Sequence, residues 1–347
     1  MHYSSSRCPS LPILRVSHAV LILCLTGCAV LMPHLSHAES VETLEYEEPG
    51  TFDMGWWTPK YFLGYSLIGA GLAGYIIGDQ MTVRSQMRIG PDYDPDNLEA
   101  LMESDEASKP FRDRDTVPTA WVHGFMLGSA FALAGVEAGQ WSRGHGSAHQ
   151  FHDTLMGYAE ATSLTAATTS LTKPWMGRLR PDFAERALRH HCTQEGADYG
   201  DICDGVDVGS LEISERRARR RLNDGKKSFF SGHASNSFAI FGYTSLVIGG
   251  HYVWGDRATT RSRLVGLSVQ ALLMGGATFT AGSRVTDGRH HLSDVLTGAA
   301  VGTAFANFSY WRRFDRDGHM RLGDQAGTSL NVEPASGYTG VTVTVRR

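Results

Sequence analysis

The stretch GSRVTDGRHHLSDVLTG, Gly282 to Gly298, sets two arginines, a histidine pair and an aspartate where two apolar, glycine- and alanine-rich runs meet. Arg284 closes the first run. His290 opens the second, and Asp294 follows four residues later, on the same face of a helix. Ionisable groups at the mouth of a buried helix are costly unless paired or used. The stretch therefore reads as two core helices joined at a charged site.

Helical patterns extend outward from this junction. They cover Tyr61 to Gly78, Thr119 to Gln140, Gln150 to Thr172, Ser235 to Tyr252, Arg263 to Gly282 and His290 to Arg313. Pro91 to Pro118 is charged and proline-punctuated, with room for one short helix, and Lys173 to Lys227 is a second polar segment. No internal repeat is present. Only the closing GVTVTVRR alternates with period two, as a short strand does. The fold class is all-α: a bundle of about six core helices within residues 59–313, followed by a short irregular or β tail over 314–347.

The 347 residues carry a formal net charge of −4, with 42% hydrophobic and 20% charged residues. That balance gives no global basic field and argues against a nucleic-acid partner. His123, His145, His149 and His152 cluster loosely without ligand spacing and are read as structural.

Residues 1–38 have the anatomy of a signal peptide. Arg7 and Arg15 precede an apolar run from Ala19 to Met32, and Ser36 to Ala38 offers small residues before Glu39. LTGC, Leu25 to Cys28, is an alternative lipoprotein box with lipidation at Cys28. Residues 39–58 form an acidic, then aromatic arm. Removal of the leader leaves Cys192 and Cys203, an even pair expected to form a disulfide in an oxidising compartment.

Several helices are apolar enough to raise the question of a membrane. Glu137, Asp153 and Glu160 argue against it, because charges are expensive in lipid. Topology adds a second objection. Three crossings after a cleaved leader would leave the Lys173–Lys227 segment, with its cysteines, in the cytoplasm. The expectation is an exported, periplasmic bundle, soluble or membrane-associated, with an integral inner-membrane protein as the alternative.

Three clusters carry chemistry. KPWMGRLRP, Lys173 to Pro181, projects Lys173 and Arg180 from a turn where Pro174 is expected to end a helix. In SFFSGHAS, Ser228 to Ser235, Ser231 can cap a helix, Gly232 admits an anion to the helix N-terminus, and His233 stands beside them. The third cluster is Arg284, His290 and Asp294. Cations, backbone N–H groups and two histidines suit a tetrahedral phosphate. Three nearby positive groups oppose a metal at His290, His291 and Asp294, so neither metal nor cofactor is implied.

These spacings resemble the type 2 phosphatidic acid phosphatase superfamily, which shares its site with class A acid phosphatases and vanadium haloperoxidases. Its first motif is Lys, six residues, Arg-Pro (Lys173 to Pro181). The second is Pro-Ser-Gly-His, here FSGH with Phe230 in place of proline. The third is Ser-Arg, five residues, His, three residues, Asp (Ser283 to Asp294). GRLRPDF and SGHAS are most similar to the lipid phosphate phosphatase branch. The resemblance implies that His290 is the nucleophile, Asp294 its orienting carboxylate and His233 the general acid and base. Lys173, Arg180, Ser231, Gly232 and Arg284 would then bind phosphate. Register from Arg284 favours His290 over His291. The implied activity is hydrolysis of a phosphomonoester or terminal pyrophosphate bond, with an envelope lipid phosphate favoured over a small phosphoester. Phosphotransfer, vanadate-dependent halide oxidation and non-catalytic phosphate or lipid binding are the rival readings. Arg216 to Arg221, an RRARRR run, reads equally as a solvated face or as a lure for anionic headgroups at a membrane surface.

Overall fold

The computed structural model describes residues 59–81, 83, 98–105, 107–110, 114–192, 203, 215–320, 328–335 and 338–345. The expected leader and arm, residues 1–58, lie outside the described residues. Six long helices form the bundle: α1 (Pro59–Gln80), α3 (Thr119–Ser142), α4 (Ala148–Met176), α7 (Gly232–Tyr252), α8 (Thr260–Thr286) and α9 (Leu292–Trp311). Short helices α2 (Leu98–Met102), α5 (Phe183–His191) and α6 (Glu215–Gly225) lie in the polar connections, so the helix count exceeds six. In the tail, β1 (Thr328–Ala335) and β2 (Tyr338–Val345) pair as an antiparallel hairpin.

Local chemistry sets the ends of the long helices. Ser147 accepts from the Gln150 N–H at the start of α4, and Thr259 with Ser262 forms a capping box on α8. Pro174 does not end α4 as the sequence suggested. It sits inside the last turn, and the helix runs on to Met176. Gly177 terminates it at φ 60°, a left-handed conformation that glycine takes without a Cβ penalty.

Helix α7 is the hub. Ile240, Tyr243 and Val247 pack with Leu133 of α3, Tyr158 of α4, Ala277 of α8 and Ala306 and Tyr310 of α9 in the main core. Helices α7 and α9 touch almost backbone to backbone. A Cβ at Gly298 would lie 2.6 Å from the Ser231 carbonyl oxygen, and one at Gly302 would overlap the Ser235 carbonyl. Helix α1 runs alongside α4 in the same direction, and a Cβ at Gly71 would meet Ser163 at 2.8 Å.

The charges that argued against a membrane face inward. Fully buried Arg313 bonds Asp153 at 3.1 Å and Glu160 at 2.8 Å, and Arg312 also pairs with Glu160. Glu137 accepts from Thr154 at 2.8 Å and lies 2.8 Å from the His251 ring. The outer faces are apolar instead. Phe62 and Ile76 on α1, Phe131 on α3, and Leu264 and Phe279 on α8 are all more than half exposed. Tyr61–Gln80, Thr119–Ser142 and Thr260–Thr286 are each long and apolar enough to cross a membrane. Buried ion pairs with exposed aliphatics invert the pattern of a water-soluble surface. Of the two expected forms, soluble or membrane-associated, these faces favour membrane association.

Cys192 and Cys203 are joined in a disulfide with their Cα atoms 5.9 Å apart. Cys192 follows α5, which packs with α6 over a small core of Leu98, Leu101, Leu179, Phe183 and Leu222.

Candidate active site

The last turns of α4 and α8, the first turns of α7 and α9, and the loops beside them meet at one end of the bundle. All eight residues singled out for chemistry lie there. His290 is only 3% exposed, and its backbone N–H donates to the Arg284 carbonyl at 3.2 Å. It precedes α9 rather than opening it. The helix starts at Leu292, and His291 is the N-cap, its N–H donating to Asp294 Oδ2 at 3.2 Å. The His291 ring lies 3.1 Å from the Leu179 carbonyl, a tie to the α5–α6 cap.

His290 Nδ1 lies 3.8 Å from Asp294 Oδ2, too far for a direct hydrogen bond. Ser228 stands between them. Its hydroxyl donates to Asp294 Oδ2 at 2.6 Å and lies 3.4 Å from His290 Nδ1. These partners assign the ring proton to Nδ1, donated toward Ser228 Oγ, and leave the Nε2 lone pair available. Arg178 clamps the other carboxylate oxygen, donating to Asp294 Oδ1 at 2.6 Å and to Ser293 Oγ at 2.7 Å. Burial opposes the charge on Asp294. The nearby His290 ring, the Ser228 hydrogen bond and the Arg178 charge outweigh it and bring the pKa down to about 2.

Three cations face this ring. Arg180 and Arg284 are buried, and the Nε of each has no hydrogen-bond partner among the described residues. Gly232 lets the start of α7 approach Lys173, since a Cβ there would stand 3.3 Å from Nζ. Burial first, and then the Arg180 charge, pulls Lys173 to about 8. Burial also dominates at His290. It acts with Arg180, Lys173 and Arg284 against the nearby Asp294 carboxylate, and the imidazole is held at about 3. His233 is held at about 3 by burial and then by Arg284 and Lys173, and its Nε2 has no partner among the described residues. Ser231 is fully buried and caps α7 by accepting from the Ala234 N–H at 3.4 Å. Its own N–H is committed to the Asp294 carbonyl at 3.0 Å. The anion nest is therefore narrower than the sequence suggested: Ser231 contributes its hydroxyl, and backbone donors come from Gly232 onward.

Behind the cations stands a layer of carboxylates that the motifs did not reveal. Asp224 lies 2.9 Å from Arg180 and 3.3 Å from Arg186. Its side chain is half-exposed, so burial opposes its charge little, and Arg180, Arg186 and Lys173 hold it at about 2. Asp115 lies 3.3 Å from Arg284 and 2.7 Å from Arg289. Asp182 takes two bonds from Arg186 and one from Arg289, each 2.9 Å. Thr116 donates to Asp287 through its N–H at 2.8 Å and its hydroxyl at 2.6 Å. Charged residues flanking each motif were the available signal. Arg178 and Ser228 lie within the quoted clusters, and Asp182 directly follows the first.

The residues of the three motifs thus meet in one cationic pocket at the end of the bundle. Residues 154–317 match the model of the PAP2 superfamily. The chain is 35% identical over 167 residues to diacylglycerol pyrophosphate phosphatase 1 of Saccharomyces cerevisiae, covering 47% of this chain and 52% of that protein. It is 29% identical over 208 residues to lipid phosphate phosphatase 2 of Arabidopsis thaliana, covering 56% and 65%. It is 32% identical over 162 residues to lipid phosphate phosphatase 1 of the same plant, covering 47% and 45%. The chain thus spans roughly half to two thirds of the length of these relatives. No solved structure matches it.

Proposed function

We propose that the protein is a membrane-associated, metal-independent phosphatase acting on a lipid phosphate or lipid pyrophosphate through a phosphohistidine. The observation that carries the reading is the set of orphan donors on Arg180, Arg284 and His233 around a buried, neutral His290. A bound phosphate dianion would satisfy them and offset their charge. The names of the relatives support a phosphorylated lipid as substrate, and the apolar outer helices agree.

In the proposed cycle His290 Nε2 attacks phosphorus in line. The P–O bond to the leaving group breaks, and His233 gives that oxygen its proton. Lys173, Arg180, Arg284, the Ser231 hydroxyl and the backbone N–H groups from Gly232 onward stabilise charge on the equatorial oxygens. Asp294, acting through Ser228, fixes the His290 tautomer and offsets the charge the ring acquires. Neutral His233 then takes a proton from water, the hydroxide attacks phosphorus, and the P–N bond breaks to release phosphate. His233 must be protonated for the first step, although three cations suppress its protonation in the free site. The arriving dianion cancels that field and supplies the missing proton affinity.

The disulfide sits at the site end of the bundle. It therefore fits a site that faces an oxidising compartment such as the periplasm.

The test is turnover of phosphatidate, isoprenyl pyrophosphate and a soluble ester by the purified protein in detergent with excess chelator. The expected result is release of phosphate from the lipids that chelation leaves unchanged. Activity restored only by an added divalent metal would overturn the mechanism.

A further inference from the structure

Helix α6 carries three arginines that the catalytic cycle does not use. Arg217, Arg219 and Arg220 are exposed, and none has an ion-pair partner among the described residues. Ala218 and Leu222, on the opposite side, are buried, and Leu222 packs with Leu179 and Phe183. The helix is fixed to the active site. The Gly225 carbonyl accepts from the Arg180 N–H at 2.8 Å, and the Arg221 carbonyl accepts from Arg186 at 3.0 Å. Just beyond it, Lys227 Nζ donates to the Met81 carbonyl at 2.9 Å, where α1 ends. The C-terminal end of this arginine-bearing helix is therefore tied to Arg180 of the pocket, and Lys227 beyond it to the end of a candidate membrane span.

The same end of the bundle exposes large apolar side chains. Trp175 in the last turn of α4 is 56% exposed, and Leu292 and Leu296 at the start of α9 are each 60% exposed. Apolar side chains beside outward guanidiniums match the layering of a bilayer interface, acyl chains below and phosphates above. Arginine suits the phosphates, since its planar fork binds their oxygens in pairs. The chain as a whole is acidic, at −4, so the patch is local rather than a reflection of net charge.

We propose that Arg217, Arg219 and Arg220 form a docking face for the headgroups of anionic phospholipids, which enriches anionic lipid at the mouth of the site. The proposal rests on the lipid-phosphatase reading, and its test has one arm that needs no catalysis. Full-length protein and the variant Arg217→Gln/Arg219→Gln/Arg220→Gln are exchanged into micelles of equal phosphatidylglycerol and phosphatidylcholine. After gel filtration the retained lipid is extracted. Wild type retains phosphatidylglycerol in excess, and the variant loses that excess by about threefold or more, a conservative share of the ceiling for three interfacial arginines. In phosphatidylcholine vesicles holding dilute phosphatidate, the variant's KM rises about fivefold with kcat unchanged. High salt erases both differences, and the soluble ester is turned over equally by the two proteins. Equal lipid retention and equal KM in wild type and variant would overturn the docking face. A wild type that hydrolyses no phosphate ester would instead overturn the phosphatase reading, and the retention arm would still decide the face.

Discussion

At the scale of single residues the site turns on how His290 is held. Its link to Asp294 runs through Ser228, because 3.8 Å separates ring and carboxylate directly. Ser228→Ala should lower kcat by about ten- to a hundredfold with little change in KM, within the range of a misplaced general acid–base network. Stopped-flow turnover of a soluble ester checks this, and Ser228→Thr should recover part of the loss. Unchanged kcat in the alanine variant would return the orienting role to Asp294 alone. A second outcome follows from His233, whose neutrality depends on the cations around it. Binding of phosphate at about pH 8, where the free ligand is already mainly the dianion, should take up protons, since an arriving dianion raises a suppressed pKa. Calorimetry in buffers of different ionisation enthalpy measures that uptake, which His233→Asn should abolish. The neutral pair also sets a pH dependence of stability. His290 titrates at about 3 in the folded protein and near 6.5 when unfolded. Below pH 6.5 the unfolded chain therefore binds the extra proton. Stability is fully present above that value and falls as the pH drops toward 3, by at most about 1.4 kcal/mol per pH unit for each such histidine. Thermal unfolding between pH 4 and 7 should show this slope, reduced in His290→Asn.

At the scale of elements, the close approach of α7 and α9 couples packing to chemistry. Ser231 and His233 ride on the first turn of one helix and Asp294 on the first turn of the other, with the Ser231 N–H bonded to the Asp294 carbonyl. Gly302→Ala places a methyl against the Ser235 carbonyl and must push the helices apart. The expected cost is about 1–3 kcal/mol of stability, as for overpacked cores, with a parallel fall in kcat/KM. A melting temperature and turnover equal to wild type would show that the contact has slack. These elements differ in how far the sequence disclosed them. The long helices were legible because a 20-residue apolar stretch has one economical structure. Helices α5 and α6 were not, since AERALRHH and RRARRRLND read as polar connection until Phe183 and Leu222 find a shared core. The order of catalytic residues was legible from Lys173 to Asp294. The serine bridge was not, because Ser228 and Asp294 lie 66 residues apart and only packing brings them together. The expectation that His290 and Asp294 share one helix failed for a local reason. Asp294 reaches back to the N–H of the N-cap His291, so the helix starts at Leu292, two residues past His290.

At the scale of the whole molecule, the network of buried Arg313, Asp153 and Glu160 with partly buried Arg312 replaces the solvation that lipid would deny these charges. Their presence in the sequence argued for water. Their pairing, invisible until α4 and α9 pack, removes that objection. Alkaline carbonate washing of membranes should leave the full-length protein in the pellet, and its release into the wash would restore the soluble reading. Orientation follows from α1, which ends beside Lys227 at the site end. If the disulfide end faces outward and α1 spans, the start of α1 lies in the cytoplasm. That is incompatible with cleavage after Ala38 followed by export of Glu39. A Lys60→Cys protein with Cys8, Cys24 and Cys28 changed to serine should then resist an impermeant maleimide in intact cells. Rapid labelling would place the site inside instead. The proposed mechanism depends on the His290 imidazole attacking phosphorus, and trapping the intermediate tests that directly. Protein mixed with substrate labelled in its terminal phosphate is quenched in alkali within milliseconds and digested. The expected result is an acid-labile, base-stable phosphopeptide containing His290, absent from His290→Ala and persistent in a variant with His233 replaced. Label at another residue, or full turnover by His290→Ala, would contradict the mechanism.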